Sequence, residues 1–208
     1  MRSLIAALLV LFVTTLPNAS STADLSFLNS IVPVTIPIPD SNGIGKLHVG
    51  CTATSIGDHE WLTAAHCIQN YQTYRFYVLG DEIAVTKLDV ATDLAKLVTR
   101  RVSMPALKLS EIPPNLLDEV IVAGYPLGSA DINVVMGRVS GFQLWVMQDI
   151  EWPFMFVAAS GARGESGAPI LNLKHELVSV VQMGFSQDSF SPQMGGVPFE
   201  TLKTFLNK

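Results

Sequence analysis

The chain has 208 residues, of which 49% are hydrophobic and only 15% charged, with a formal net charge of −5. That composition excludes an intrinsically disordered chain, and the length suits one large domain or two small units sharing an interface. The cations are scattered, the densest run being Lys96 followed by Arg100-Arg101, so no nucleic-acid partner is expected: phosphate binding needs clustered Lys and Arg.

Residues 1–23 read as an export signal. Arg2 supplies the positive start, Leu4 to Val13 an apolar core, and Pro17 to Ala23 a tail of small residues, with cleavage expected near Ala19 or Ala23. The apolar core is shorter than the roughly 20 residues of a membrane span, which argues against the competing reading of an N-terminal anchor. The mature chain, 24–208, is therefore expected to be secreted or periplasmic, with no stable membrane insertion once the signal is removed. Cys51 and Cys67 are the two cysteines. An oxidising destination and an even count favour a disulfide over a metal site, for which no further ligands stand at short spacing.

From Ile31 onward, short β-rich runs alternate with turns rich in Gly, Pro, Asn and Asp. Ile31 to Ile38 carries Pro33 and Pro37 and is expected to be an edge strand or an extended arm. After the Asp40-Ser41-Asn42-Gly43 turn, strands are predicted over Lys46–Ser55, Trp61 onward, Tyr74–Leu79, Ile83–Leu88 and Leu94–Val102. Residues from about 104 to 117 are irregular and rich in proline, as a linker between two halves would be. Further strands are predicted over Glu119–Ala123, Asn133–Gly137, Phe142–Met147, Pro153–Ala158, Ala168–Leu173 and Leu177–Gln182. Only the tail from Pro198 reads as a helix, with Phe199, Leu202 and Phe205 along one face. Roughly a dozen short strands in two groups, about 31–103 and about 118–208, suit two packed β-barrels closed by a C-terminal helix.

One heptapeptide stands out: Arg163-Gly164-Glu165-Ser166-Gly167-Ala168-Pro169. A serine hydroxyl is a poor nucleophile at neutral pH and needs a base and donors for the charge it creates. Flanking glycines let the backbone turn sharply and aim successive N–H groups at one point. Taken alone, the same pattern fits an ordinary turn. Of the four histidines, His48 reads as a surface strand residue, His59 as a solvated turn residue and His175 as a hairpin-turn residue. His66 differs, because it ends the small-residue run Thr63-Ala64-Ala65 that admits other segments closely.

Leu62-Thr63-Ala64-Ala65-His66-Cys67 resembles the histidine motif of the chymotrypsin-like (trypsin-like) serine proteases, and Arg163 to Pro169 is similar to that family's Gly-x-Ser-Gly-x-Pro nucleophile loop. The spacing of Cys51 and Cys67 matches the family disulfide that ties the strand before the histidine to the residue after it. Ala91-Thr92-Asp93-Leu94-Ala95 resembles the family's Asp-Leu-Ala motif, which makes Asp93 the candidate acid; Asp89 is its rival but lacks the following Leu-Ala. Gly124-Tyr125-Pro126 is similar to a turn of the bacterial branch. The resemblance runs from about Ile31 to the C-terminal helix. It implies an all-β fold of two six-stranded antiparallel barrels and a single-domain bacterial-type protease hydrolysing protein or peptide substrates. Ser166 would be the nucleophile, His66 the base, Asp93 its orienting partner, and the N–H groups of Gly164 and Ser166 the oxyanion hole. No metal or other cofactor is implied. An α/β-hydrolase is excluded because its Gly-x-Ser-x-Gly elbow would need glycine at Ala168 and because acid and histidine follow its serine.

The chain departs from the family at Glu165, where digestive members carry an aspartate that pairs with a newly cut N-terminus. Pro33 after Ile31-Val32 does not suit that activation route, so Glu165 is expected to meet a nearby cation or solvent. By alignment Ser160 would lie at the base of the specificity pocket, with Met183, Gly184 and Gly195 near its walls; Met183 is equally readable as core. Without a carboxylate at that base, or a histidine at Val181, the resemblance implies preference for a small or medium uncharged residue. The alternative function is a catalytically inactive homologue acting as a binding protein.

Overall fold

The structure is a computed structural model and describes residues 24–39, 45–147, 150–184 and 190–207; the export signal expected over 1–23 lies outside the described residues. Seven strands form the first half: β1 (Ile31–Pro39), β2 (Gly45–Gly57), β3 (Glu60–Ala64), β4 (Tyr77–Val78), β5 (Asp81–Glu82), β6 (Ala84–Asp89) and β7 (Leu94–Val98). Eight follow: β8 (Glu119–Gly124), β9 (Asn133–Met147), β10 (Ile150–Ala158), β11 (Gly161–Ala162), β12 (Pro169–Leu171), β13 (Leu177–Gly184), β14 (Phe190–Ser191) and β15 (Met194–Gly196). The helix α1 (Phe199–Asn207) closes the chain as predicted, burying Phe199, Leu202 and Phe205.

The fold class is the expected one, all-β with two units and a terminal helix. The second unit is a closed six-stranded antiparallel barrel in the order β10-β15-β13-β12-β8-β9. The first differs from the expected six-stranded barrel: it is a seven-stranded sheet in the order β5-β4-β1-β2-β3-β7-β6, without β5–β6 pairing. Tyr74–Leu79 shrinks to the two residues of β4, so that end of the sheet is too short to close. β1 is not an outer strand, since β4 pairs with it, but only at Val34 and Thr35. Neither Pro33 nor Pro37 is called on for a ladder bond on that side, which is how a strand with two prolines survives inside the sheet.

Strand alternation explains how two units share one interface. On β3, Trp61 points into the core of the first unit with Val34, Ala53, Phe76 and Leu97, while its neighbour Leu62 points into a layer between the units. On β8, Val120 and Val122 fill the barrel with Met155, Val157 and Ile170, whereas Ile121 and Ala123 face the shared layer. Successive side chains on a strand point to opposite faces, so a strand apolar at every position is buried on both. The shared layer also takes Ile31, Leu94, Leu171, Leu177, Val180 and Leu202.

Two expected strands, Asn133–Gly137 and Phe142–Met147, are one. Opposite Phe156–Val157 of β10 the register slips between Gly141 and Val139, leaving Ser140 as the extra residue of a bulge. Gly141 marks a kink within a strand and not a turn between two.

Cys51 on β2 and Cys67, in the 3-10 turn Ala65–Ile68 after β3, form the disulfide, with Cα atoms 6.0 Å apart. The bond pins the turn that carries His66 to β2. Replacing both cysteines with alanine should cost about 3 kcal/mol, the loop-closure entropy for a loop of this size, measured as a lower midpoint in urea denaturation.

Candidate active site

β3 ends in Ala64, and the short turn Ala65–Ile68 that follows lifts His66 out of the sheet into solvent. The turn between β6 and β7 places Asp93 beside it, with Asp93 in the left-handed region at φ 51°, which aspartate adopts more readily than most residues. Two bonds join the pair: His66 Nδ1–H donates to Asp93 Oδ2 at 2.8 Å, and the His66 backbone N–H donates to Asp93 Oδ1 at 2.8 Å. A third, from Ala65 N–H to the Asp93 carbonyl at 3.0 Å, holds the two turns together. The carboxylate can only accept, so it selects the tautomer with the proton on Nδ1 and a free lone pair on Nε2. Asp89, the rival acid, instead accepts from Ala91 N–H at 3.1 Å and Thr92 N–H at 3.3 Å and serves the turn.

The loop that carries Ser166 lies between β11, which pairs with β14 outside the barrel, and the barrel strand β12. Gly164 has φ +99° and Gly167 φ +83°. A Cβ on Gly164 would stand 2.5 Å from the Tyr125 carbonyl oxygen, and one on Gly167 only 2.1 Å from that of Thr52. Both positions therefore require glycine on two counts, conformation and space. The loop is pinned at both sides: Gly167 N–H donates to Val181 O at 2.8 Å, and Thr52 N–H of β2 donates to Ser166 O at 2.9 Å. Among the described residues the backbone N–H groups of Gly164 and Ser166 have no acceptor, whereas that of Glu165 between them reaches Ala162 O at 3.3 Å. Ser166 Oγ–H donates to the Gln182 carbonyl at 3.4 Å, a long bond, and not to His66. The Gln182 side chain ties this strand back to the acid: its Nε2–H donates to Thr92 O at 2.7 Å.

Beside His66 runs a cleft of about 450 Å³ lined by Gln69, Val90, Asp93, Trp152, Phe154, Gln182 and Met183. Met183 pairs with Gly195 and Gly184 with Met194 across β13 and β15, so Met183, Gly184 and Gly195 come together next to the cleft. Ser160 is not brought to them in that cleft. It is exposed and lines a separate cavity with Pro126, Leu127, Asn133 and Glu165. Cys51, His66 and Cys67 lie close enough to hold an ion, but both sulfurs are consumed by the disulfide, so the donor set does not suit a metal.

His48 is exposed on β2 and His175 stacks on Phe27 at 4.2 Å in its turn, both away from this cluster. His59 is more than a solvated turn residue: its Nδ1 bonds the Val102 carbonyl at 2.9 Å.

Glu165 is the largest departure from expectation. Among the described residues no cation pairs with it, and it is turned away from solvent, being 2% exposed. Its Oε2 accepts from Ala162 N–H at 2.6 Å and its Oε1 from Asn133 Nδ2–H at 3.4 Å. Burial raises its pKa above the ordinary carboxyl value, and the two hydrogen bonds only partly offset this. The folded chain thus holds the Glu165 proton more tightly than the unfolded one. Stability from this group is complete below the unfolded carboxyl pKa and is lost as pH rises through the folded value. Glu165→Gln, neutral throughout, should match the wild type in acid and gain on it as pH rises; urea midpoints across a pH series check this, and a gap independent of pH would contradict it.

Residues 51–180 match the family of the trypsin-like peptidase domain. Over 173 residues the chain is 30% identical to Protease Do-like 2, chloroplastic, from Arabidopsis thaliana, covering 76% of this chain and 28% of that protein. It thus spans little more than a quarter of that relative's length. Among solved structures, the active form of the Rv3671c protease from M. tuberculosis superposes with a TM-score of 0.73 at 20% identity, over 88% of this chain and 82% of that one. The HtrA-type protease AlgW, in complex with a decapeptide, superposes with a TM-score of 0.69 at 17% identity, over 86% of this chain and 63% of that one. At such identities the structural likeness speaks for the fold, and the sequence match over Cys51 to Val180 for the family. The chain belongs to the trypsin-like peptidase domain family, the chymotrypsin-like serine proteases.

Proposed function

We propose that the chain is an exported serine endopeptidase that cleaves protein or peptide substrates through an acyl-enzyme, with His66, Asp93 and Ser166 as its triad. The observation that carries this is the His66–Asp93 pair. The Nδ1–H bond of 2.8 Å sets the imidazole's tautomer and leaves Nε2 free as a base, and the backbone N–H bond of 2.8 Å holds the carboxylate in place for it. Ser166 Oγ would leave the Gln182 carbonyl by rotation about Cα–Cβ as substrate enters, a change between staggered wells. Catalytic hydrogen bonds are commonly long before substrate arrives.

In this mechanism Ser166 Oγ attacks the scissile carbonyl carbon while His66 Nε2 takes its proton. The C–N bond then breaks as His66 returns that proton to the leaving amine. Water repeats the sequence on the acyl-serine ester and regenerates the hydroxyl. The negative oxygen of each tetrahedral intermediate would be met by the N–H groups of Gly164 and Ser166, neither of which has an acceptor among the described residues. Preorganised donors of this kind reorient little during reaction, which is why they act strongly on the barrier.

The cleft supports a peptide substrate with an uncharged side chain near the scissile bond, since Val90, Trp152, Phe154 and Met183 supply apolar walls. The carboxylate there, Asp93, is engaged by His66. Met183, Gly184 and Gly195 are the proposed pocket walls; Ser160, on the other cavity, has no such support. A bound decapeptide in AlgW favours the same substrate class. The Cys51–Cys67 disulfide favours an oxidising destination, secreted or periplasmic, and no helix of the described residues is long and apolar enough to cross a membrane.

A fluorophosphonate probe should label the wild type and leave Ser166→Ala unlabelled; equal labelling of the two would sink the proposal. Asp93→Asn should lower turnover of a fluorescein-labelled casein by about 10⁴-fold, the usual cost of the wrong imidazole tautomer, with thermal stability measured alongside.

A further inference from the structure

Thr52 belongs to no motif that the sequence draws attention to, yet every polar atom of this residue is used, and two of them, the N–H and the hydroxyl, reach the nucleophile loop. It lies on β2 of the first unit, fully buried. Its N–H donates to Ser166 O at 2.9 Å, and its carbonyl accepts from Thr63 Oγ1–H at 2.7 Å. Its hydroxyl works in both directions: Oγ1–H donates to Gly164 O at 3.1 Å, and Oγ1 accepts from Tyr125 N–H at 3.0 Å.

We propose that the Thr52 hydroxyl is a positioning group that aims the Gly164 N–H at the substrate oxygen. The inference rests on the hydrolytic function proposed above. Gly164 sits at φ +99°, and glycine has several other wells open to it, so the direction of its N–H must be imposed from outside. Peptide units are planar, and fixing a carbonyl fixes the N–H across the same bond. The plane before Gly164 is held by Leu127 N–H on Arg163 O at 2.5 Å, and the plane after it by Thr52 Oγ1–H on Gly164 O. The same hydroxyl holds Tyr125 N–H, and Tyr125 opens the turn that presents Leu127. One oxygen thus reaches the plane that carries the Gly164 N–H through the Gly124-Tyr125-Pro126 turn, and directly fixes the following plane, which limits the rotation left to Gly164 between the two. The second donor, Ser166, is steadied separately, by Ala168 N–H on Glu165 O at 2.8 Å.

The packing leaves no room for water to replace the hydroxyl. A Cβ on Gly124 would already stand 3.1 Å from Thr52 Oγ1 and 2.9 Å from Ala168 Cβ. Valine at this position keeps the shape but leaves the half-buried Tyr125 N–H and Gly164 carbonyl without their partner, and the loop must shift to satisfy them.

The test compares Thr52→Val, Thr52→Ser and Thr54→Val. Thr54, two residues along the same strand, is equally buried, but its hydroxyl has no partner among the described residues. Thr52→Val should lower kcat on fluorescein-labelled casein by about 10- to 100-fold, below the 10²–10³ typical of deleting an oxyanion donor outright. KM should change less than about threefold, fluorophosphonate labelling should slow in parallel, and Thr52→Ser and Thr54→Val should stay within about threefold of wild type. Amide exchange at Tyr125 should accelerate in Thr52→Val and not in Thr52→Ser. Wild-type kcat in Thr52→Val, or equal losses in Thr52→Val and Thr52→Ser, overturns the inference. If the wild type neither hydrolyses casein nor takes the probe, the hydrolytic function fails, and unchanged exchange at Tyr125 and residues 163–167 in Thr52→Val overturns the positioning role as well.

Discussion

The two units meet across a shared apolar layer, and the candidate site depends on that layer to keep them in register. His66 and Asp93 come from the first sheet and Ser166 from the barrel, so no local structure brings them together. Leu62 and Leu94, each one or a few residues from His66 or Asp93, are buried in the layer against Ile121, Ala123, Leu171 and Val180 of the barrel. Apolar burial is non-directional and sets distance between the units but not angle. The angle is set by a few directional bonds at the rim of the layer: Thr52 N–H to Ser166 O, Thr52 Oγ1–H to Gly164 O, and Gln182 Nε2–H to Thr92 O.

These bonds explain why the loop that carries Ser166 can be built from glycine without being loose. Gly164 and Gly167 contribute freedom that would cost order if nothing opposed it, but partners on β2, β13 and the Tyr125–Leu127 turn hold the carbonyls or N–H groups around them. Among the described residues two backbone donors of this loop, those of the half-buried Gly164 and Ser166, have no acceptor.

Glu165 shows a carboxylate held by a different device from an ion pair. Its side chain folds back onto Ala162 N–H, three residues earlier, and reaches Asn133 on β9. The return bond closes the turn 162–165 against itself, so the loop takes its shape from within the barrel. The cost is a buried charge with two neutral donors, which is why burial dominates its titration.

Much of the candidate site was legible in the sequence because short motifs carry its parts. His66 follows a run of small residues, Asp93 precedes Leu-Ala, Ser166 sits between glycines, and Cys51 and Cys67 bracket the histidine turn. Each of these is a local pattern, and the strands nearby follow from alternation and turn residues that act over two to six positions. The C-terminal helix was readable for the same reason, as its apolar face repeats at helical spacing. What only the tertiary structure decided are the facts that depend on residues far apart in the chain. Thr52 looks like any strand threonine until Tyr125, Gly164 and Ser166 converge on it. Glu165 could have met a cation, Ser160 could have faced Met183, and β9 could have broken at Gly141. Burial, cavity walls and bulge register are set by neighbours across the sheet and across the two units, and such neighbours leave no signature at any one position of the sequence.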